Sequence, residues 1–219
     1  MLNKKPQYEP GIELAAICLY DLPEIARLYQ EAFSDHFLGH MGQKFLQLFC
    51  AQFINSPTNH GYVAKSNGRA VGFVLGSIDR QPFARFYRQN FWTLITLVIM
   101  RYFQDAYVRK HIVKRFGCIA DALKSFVPRR HQEGETKDEQ NRFAPARILA
   151  IGVSSDYRGM GIGNQLTSYF CSKMKQEGYK KVGLSALPWN ERAIHFYKKD
   201  GWVLEESNAA SLSFIRTIV

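Results

Sequence analysis

Hydrophobic positions along the chain follow the period of a helix in some segments and that of a strand in others. Residues 12–19 form a short apolar run that predicts the first strand. A helix is predicted over 21–33, because Pro23 favours the first turn and apolar residues recur at the spacing of one helical face. A second helix is predicted over 44–54, and the Asn-Ser-Pro sequence at 55–57 ends it.

Two further apolar runs, at 61–65 and 70–78, are separated by Asn67 and Gly68. An Asn-Gly pair readily takes the positive φ angles of a two-residue turn, so this segment predicts a β-hairpin. The second half of the chain returns to alternating strands and helices. Strands are predicted over 147–153, 181–186, 202–206 and 211–218, and helices over 166–177, closed by Gly178, and over 190–199.

Between the hairpin and the strand at 147 the helical period predicts two inserted helices. Their apolar faces consist of Phe83, Phe86, Tyr87, Phe91, Leu94, Ile95, Val98 and Tyr102, and of Ile112, Phe116, Ile119, Ala120 and Leu123. The polar stretch at 127–145 contains proline and glycine, which favours a mobile connection. We therefore expect one domain over 1–219, with a helical insertion and a polar connection at 80–146.

Composition narrows the class of protein. The 219 residues are 46% hydrophobic and 22% charged, which is typical of a globular protein with a sizeable core. The four cysteines are widely separated and the histidines are not clustered, so neither a disulfide framework nor a metal site is predicted. The start of the chain lacks an apolar signal segment, and the apolar run at 91–100 is too short to span a bilayer. These features predict a cytoplasmic location without a transmembrane span.

The net charge of +10 indicates an anionic partner, and most of the excess is local. Residues 80–115 hold eight basic side chains and a single acidic one, Asp105. A basic, aromatic-rich segment over 82–126 is typical of a lid over a cleft, of contact with an anionic membrane surface, of binding to a nucleotide-linked, phosphate-bearing acceptor, or of a dimer interface. The sequence leaves these alternatives open. Nucleic-acid binding has only the charge in its favour, because no module that binds DNA or RNA is recognised.

A glycine-rich segment at 158–163, Arg-Gly-Met-Gly-Ile-Gly, lies between a predicted strand and a predicted helix. Glycines allow the main chain to turn sharply and to approach an anion closely, the helix N-terminus attracts negative charge, and Arg158 adds a charged donor. A tight structural turn is the alternative. The glycine spacing fits neither the dinucleotide-binding fingerprint nor the Walker-type phosphate loop.

Residues 148–205 resemble the GNAT N-acetyltransferase superfamily. The family motif Arg/Gln-x-x-Gly-x-Gly/Ala is matched by Arg158, Gly161 and Gly163. A later family pattern is also present, and its residues are Asn190, Phe196, Tyr197, Gly201 and Trp202. The resemblance implies an α/β (α+β) fold with a mixed, mostly antiparallel central sheet of about seven strands, flanked by helices, with the insertion after the third strand.

The resemblance also implies that acetyl-CoA is the cofactor and that an amine is the acceptor. In the family the strand before the glycine loop separates from the next strand, and the pantetheine arm lies in the gap. The cofactor-binding residues implied in this way are Ile151, Gly152, Val153, Arg158, Gly159, Met160, Gly161, Ile162, Gly163, Asn164, Asn190 and Tyr197. The acceptor class remains open, and small molecules and amino sugars are among the candidates.

For catalysis the resemblance implies that Tyr197 protonates the departing thiolate and that the backbone N–H of Val153 stabilises the oxyanion. Some members of the family place a glutamate on the strand before the loop, and this chain departs from them because 147–153 contains no carboxylate. The candidates for the base are Glu31, Asp35, His36 and Asp79, with a water chain as the alternative. The competing function is a CoA-binding sensor or a membrane-associated interaction protein without turnover. Similar insertions occur in bacterial members of the superfamily.

Overall fold

The computed structural model describes residues 11–34, 36–110 and 146–218. The second predicted stripe of the insertion and the polar connection at 127–145 lie outside the described residues, as does the candidate base Asp35. None of the described helices is long and apolar enough to cross a membrane.

A seven-stranded sheet forms the centre of the fold, with the strand order β1-β2-β3-β4-β5-β7-β6. The strands are β1 (Ile12–Ala16), β2 (Asn59–Ser66), β3 (Arg69–Ser77), β4 (Ala146–Val153), β5 (Lys181–Ala186), β6 (Val203–Ser207) and β7 (Leu212–Thr217). All neighbours are antiparallel except β4 and β5, which are parallel. The predicted fold class is therefore confirmed.

The helices whose bounds lie within the described residues pack on the two faces of this sheet. They are α1 (Leu22–Ala32), α2 (Gln43–Ala51), α3 (Ala84–Gln89), α4 (Phe91–Gln104), α5 (Ile162–Gln176) and α6 (Glu191–Lys199). Successive side chains of a strand point to opposite faces, so Phe73 and Leu75 of β3 enter the core beneath α1 to α4, whereas Val74 enters the core beneath α5 and α6.

The hairpin turn follows the sequence prediction closely. Asn67 and Gly68 have φ angles of 51° and 77°, as a two-residue turn of this kind requires. The first strand is shorter than predicted, because the chain leaves β1 and forms a 3₁₀ turn at Leu19–Asp21. There the buried carboxylate of Asp21 accepts a hydrogen bond from the Cys18 N–H at 3.0 Å and pairs with the Lys65 ammonium at 2.7 Å.

The described part of the insertion belongs to the core. The continuous helix expected from residue 82 is divided at Asn90 into α3 and α4, and the Asn90 amide donates to the Phe86 carbonyl at 3.0 Å. The Phe86 and Leu94 side chains are 3% and 7% exposed and pack in the same core as α1 and α2. Residues 106–110 are also helical. The helices at the start of the insertion are therefore packed as part of the domain.

Candidate active site

The central gap of the sheet lies between β4 and β5. The two strands pair only at Ala146–Val182, Arg147–Gly183 and Ile148–Leu184, after which they separate. The separation coincides with an irregularity in β4, where Leu75 pairs with Ala150 and Gly76 with Ile148, so that Leu149 has no counterpart on β3. An extra residue of this kind bends a strand, and here it directs the rest of β4 away from β5.

The end of β4 presents main-chain groups to this gap. The Ser154 N–H donates to the Val71 carbonyl at 2.9 Å, and bonded and non-bonded pairs alternate along an antiparallel ladder. The Val153–Gly72 pair is therefore non-bonded, and the N–H of Val153 faces the gap. Ile151 has the same orientation two residues earlier. The main-chain groups of Gly152 point the other way, toward Phe73 on β3.

The glycine loop follows β4 and leads into α5. Gly159 and Gly161 have φ angles of 81° and 77°, in the left-handed region that favours glycine. The backbone N–H groups of residues 159–164 find no acceptor in the part of the chain that the structure describes. These six donors lie at the positive end of a 15-residue helix, which is the kind of place that binds an anion and is here called the anion position.

The third glycine of the motif has a different role. Gly163 lies inside α5, and a Cβ atom there would approach the Phe196 ring on α6 to 3.1 Å. A glycine at this position lets the two helices pack closely. α5 begins at Ile162, earlier than the predicted residue 166, so Gly163 lies in its first turn despite the low helix propensity of glycine.

Arg158 spans the mouth of the gap. Its Nε donates to the Val153 carbonyl at 3.1 Å, and its guanidinium lies 3.6 Å from the Glu31 carboxylate. Glu31 also accepts from the Ser155 N–H at 2.7 Å. The Ser155 hydrogen bond, with the nearby Arg158 and Arg27 charges, holds the pKa of Glu31 below its usual range. Glu31 is thus an anchor for the loop and a poor base, and α1 supplies it from a distant part of the sequence.

Asn164 is bonded within the fold. Its amide nitrogen donates to Asp200 Oδ1 at 2.6 Å, and Thr167 Oγ1 donates to Asp200 Oδ2 at 2.8 Å. The indole of Trp202 and the guanidinium of Arg216 bind the same carboxylate. Asp200 therefore fixes the start of α5 to the end of α6, and only the backbone N–H of Asn164 is left for the loop's anion position.

Asn190 and Tyr197 position α6 along the other side of the gap. The Asn190 side chain caps α6 by accepting from the Ala193 N–H at 3.1 Å. The Tyr197 ring packs among Phe196, Trp202 and Phe214, and burial raises the pKa of its phenol to about 12. Tyr197 lines the cleft, and its hydroxyl has no hydrogen-bond partner among the described residues.

A single cleft joins these parts and extends beyond them, with a volume of about 2620 Å³. Its proximal wall consists of residues between 148 and 211 and includes every predicted cofactor residue except Met160. Met160 itself is half exposed. Its distal wall consists of residues between 29 and 103, from α1, the following loop, α2, β3, α3 and α4. The sequence pattern predicted the apolar face of α4, although not that this face would line the cleft.

The candidate bases are divided by the structure. Glu31 and His36 line the cleft, whereas Asp79 is exposed, accepts from the Gln81 N–H at 2.9 Å and lies outside the lining. The basic side chains of Arg192 and Lys199 also line the proximal wall, although the sequence motifs did not single them out. Their position on α6 becomes evident only in three dimensions. Among the described residues there is no group of three or more potential ligands that could hold a metal ion.

Comparison with known proteins supports the resemblance found in the sequence. Residues 134–202 match the model of the acetyltransferase (GNAT) family. A protein of Prochlorococcus marinus described as an uncharacterized N-acetyltransferase ycf52-like is 37% identical over 60 residues. That match spans 27% of this chain and 32% of the relative's length.

Solved structures share the fold over nearly the whole chain. Ard1 from Thermoplasma volcanium has a TM-score of 0.55 at 18% identity, covering 95% of this chain and 99% of that one. The PaiA N-acetyltransferase from Thermoplasma acidophilum, solved in complex with coenzyme A, has a TM-score of 0.55 at 12% identity and covers 94% and 99%. The predicted resemblance to the GNAT superfamily is confirmed by the family match and by this common fold.

Proposed function

We propose that this chain, which resembles the acetyltransferase (GNAT) family in sequence over 134–202 and in fold over the described residues, transfers an acetyl group from acetyl-CoA to an amine. The observation that carries the proposal is the row of free N–H groups at 159–164, placed beside the gap between β4 and β5. A row of donors at a helix N-terminus binds phosphate well, and the adjacent gap offers main-chain partners for a pantetheine arm.

The residues present fit coenzyme A. The pyrophosphate would be held by the loop and by Arg158, whose guanidinium now bonds Val153 and Glu31 at the mouth of the gap. The main-chain groups of Ile151 would bind the pantetheine amides and the Val153 N–H would be left for the thioester carbonyl, whereas Gly152 would serve by packing, because a Cβ there would lie 2.7 Å from the Phe73 ring. Arg192 and Lys199 add positive charge along α6.

The chemistry follows from the same groups. A neutral amine attacks the thioester carbonyl, the carbonyl oxygen gains negative charge, and the N–H of Val153 donates to it. When the carbonyl double bond forms again, the C–S bond breaks and the acceptor amine has become an amide. Tyr197 donates a proton to the sulfur, and its raised pKa keeps the phenol protonated at neutral pH. The amine's proton passes to solvent, either directly or through His36, and the Tyr197 phenolate regains a proton from solvent.

The acceptor experiment tests turnover itself. Amines, amino sugars and peptide N-termini are screened for release of CoA thiol from acetyl-CoA. The Tyr197→Phe variant is the control. Thiol release with an identified amide product supports an enzyme. Tight acetyl-CoA binding with no thiol release from any acceptor would instead favour the CoA-binding sensor.

Contact with an anionic membrane surface is a second candidate, supported by one feature of α4. The Trp92 and Met100 side chains are 77% and 56% exposed, and Arg88, Arg109 and Lys110 are exposed nearby in the sequence. Exposed apolar groups beside basic ones suit an anionic lipid surface. Co-sedimentation with phosphatidylglycerol vesicles that weakens with salt, and is absent with phosphatidylcholine vesicles, is the expected result. Equal recovery with both kinds of vesicle would contradict contact with an anionic membrane. Gel filtration would separately test whether the chain forms a homodimer.

A further inference from the structure

The distal wall of the cleft is chemically unlike the proximal wall. Apart from tyrosines, its ionisable side chains among the described residues are Glu31, His36 and Arg88. The remaining lining is largely aromatic and aliphatic. The apolar members that α4 supplies are Phe91, Leu94, Ile95, Val98, Ile99 and Phe103.

The α4 helix supplies the longest continuous part of this wall. From Phe91 to Phe103 it runs for about 18 Å at 1.5 Å per residue. Leu94 and Val98 also pack into the core, but Ile95 and Ile99 are not part of it and face the cleft while still accessible. Apolar side chains left open in a row inside a cleft are typical of a binding surface for an apolar ligand.

The size of the cleft supports the same conclusion. Its volume of about 2620 Å³ exceeds the roughly 300–1,000 Å³ of an ordinary small-molecule site. The free N–H donors, Arg158, Arg192 and Lys199 lie on the proximal wall, whereas the described distal wall contributes Arg88. A cofactor bound along the proximal wall therefore leaves the apolar distal wall for another group.

Electrostatics disfavours a polycationic acceptor. The carboxylate of the distal wall belongs to Glu31, which already accepts from the Ser155 N–H and faces the Arg158 guanidinium. A ligand with several ammonium groups would find no further carboxylate on the described distal wall to replace its lost hydration. An apolar chain has no such cost there.

We propose that the distal wall binds an extended aliphatic or aryl-aliphatic chain, attached either to the thioester or to the acceptor amine. The inference rests on the proposed function and specifies its substrate class. The transfer step is unchanged, because the chain contacts Ile95 and Ile99 and lies remote from the bonds that are made and broken.

The test compares acetyl-CoA, hexanoyl-CoA and decanoyl-CoA by calorimetry, and ethylamine, hexylamine and decylamine by thiol release. Affinity is expected to rise by up to about fourfold for each methylene that the wall buries. A rise in the thioester series places the chain on the acyl donor, and a falling KM in the amine series places it on the acceptor. Flat results in both series would overturn the inference.

A pair of variants locates the effect. Ile95→Trp narrows the cleft and is expected to remove about tenfold or more of the affinity gained with the longer chain, while acetyl-CoA affinity stays unchanged. Thr93→Trp places the same side chain on an exposed position of α4 outside the lining. It should change neither the affinity for the longer chain nor that for acetyl-CoA. Equal effects of the two variants would refute the assigned wall. Failure of acetyl-CoA itself to bind would refute the proposed function instead.

Discussion

At the scale of single residues, glycines of one motif serve different physical needs. Gly159 and Gly161 lie at positive φ with open space around the missing Cβ, so their backbone conformation is what matters. Gly163 has no such φ and is required by the nearby Phe196 ring. Substitutions at Gly161 and Gly163 should therefore fail for different reasons, the first through the loop's main chain and the second through the packing of α5 on α6.

Gly161→Ala is expected to weaken acetyl-CoA binding at least tenfold. A left-handed alanine costs about 1–2 kcal/mol, and relief of that strain would turn the loop N–H groups away from the anion position. Calorimetry of acetyl-CoA binding measures the effect. Gly68→Ala is the matched control, since Gly68 also has a φ of 77° and open space but lies in the β2–β3 turn. Equal losses of affinity would show that the loop is not the anion site.

Tyr197→Phe is expected to lower kcat by roughly a hundredfold or more while leaving acetyl-CoA affinity within about twofold, because the ring's packing is kept and only the proton donor is lost. Tyr169→Phe is the control, at a tyrosine outside the cleft lining. Since burial raises the pKa of Tyr197 to about 12, wild-type kcat should show no loss from phenol ionisation between pH 7 and 10. Unchanged kcat in Tyr197→Phe would exclude the proposed role.

At the scale of elements, the site depends on how helices are joined to the sheet edge. Asp200 binds Asn164, Thr167, Trp202 and Arg216 and so fixes the N-terminus of α5, where the anion position lies. On the other wall, a Cβ at Gly42 would collide with the Arg101 guanidinium, and His40 Nδ1 lies 3.1 Å from Asp105. These contacts attach the C-terminal end of α4 to the loop before α2.

Leu94→Ala tests whether the described insertion is part of the cooperative fold. Leu94 is 7% exposed and packs in the core under α1 and α2, so the loss is expected to be about 2–4 kcal/mol of unfolding free energy. Met100→Ala, on a side chain of the same helix that is 56% exposed, should cost under about 1 kcal/mol. Urea denaturation measures both variants. A separately unfolding insertion would give a small effect for Leu94→Ala as well.

At the scale of the whole molecule, two buried or half-buried carboxylates join distant segments. Asp21 links the end of β1 to Lys65 on β2, and Glu31 links α1 to the glycine loop. Burial alone raises the pKa of Asp21, but Lys65 and the Cys18 hydrogen bonds outweigh it, so the net pKa is lowered. The pKa of Glu31 is lowered mainly by the hydrogen bond from Ser155. Both groups therefore favour the folded state when ionised.

The fold should consequently lose stability in acid. A lowered folded pKa gives stability that is present above the unfolded value of about 4 and is lost as pH falls through the folded value. Asp21→Asn should reduce stability at pH 7 and flatten its decline below pH 4. Glu205→Gln, at an exposed position of β6, should leave the profile unchanged. Thermal unfolding across pH 2–7 is the measurement, and parallel profiles for the two variants would contradict the assignment.

Local patterns were sufficient for much of the fold. The Asn67-Gly68 turn and the strand Lys181–Ala186 are found as predicted, whereas α6 begins at Glu191 with Asn190 as its cap, one residue after the predicted start. The start of α5 at Ile162 and the break at Asn90 were not predicted, because the period of apolar residues does not locate the end of a helix.

The sequence alone determined the family resemblance and the location of the glycine loop, since both are carried by short motifs. Only the tertiary structure decided which main-chain groups face the gap, because the bulge at Leu149 and the pairing parity of β4 arise from neighbouring strands. It also decided that Glu31 anchors the loop and that α4 forms an apolar wall of the cleft. Glu31 and Ser155 are 124 positions apart in the sequence, and no local pattern specifies such a contact.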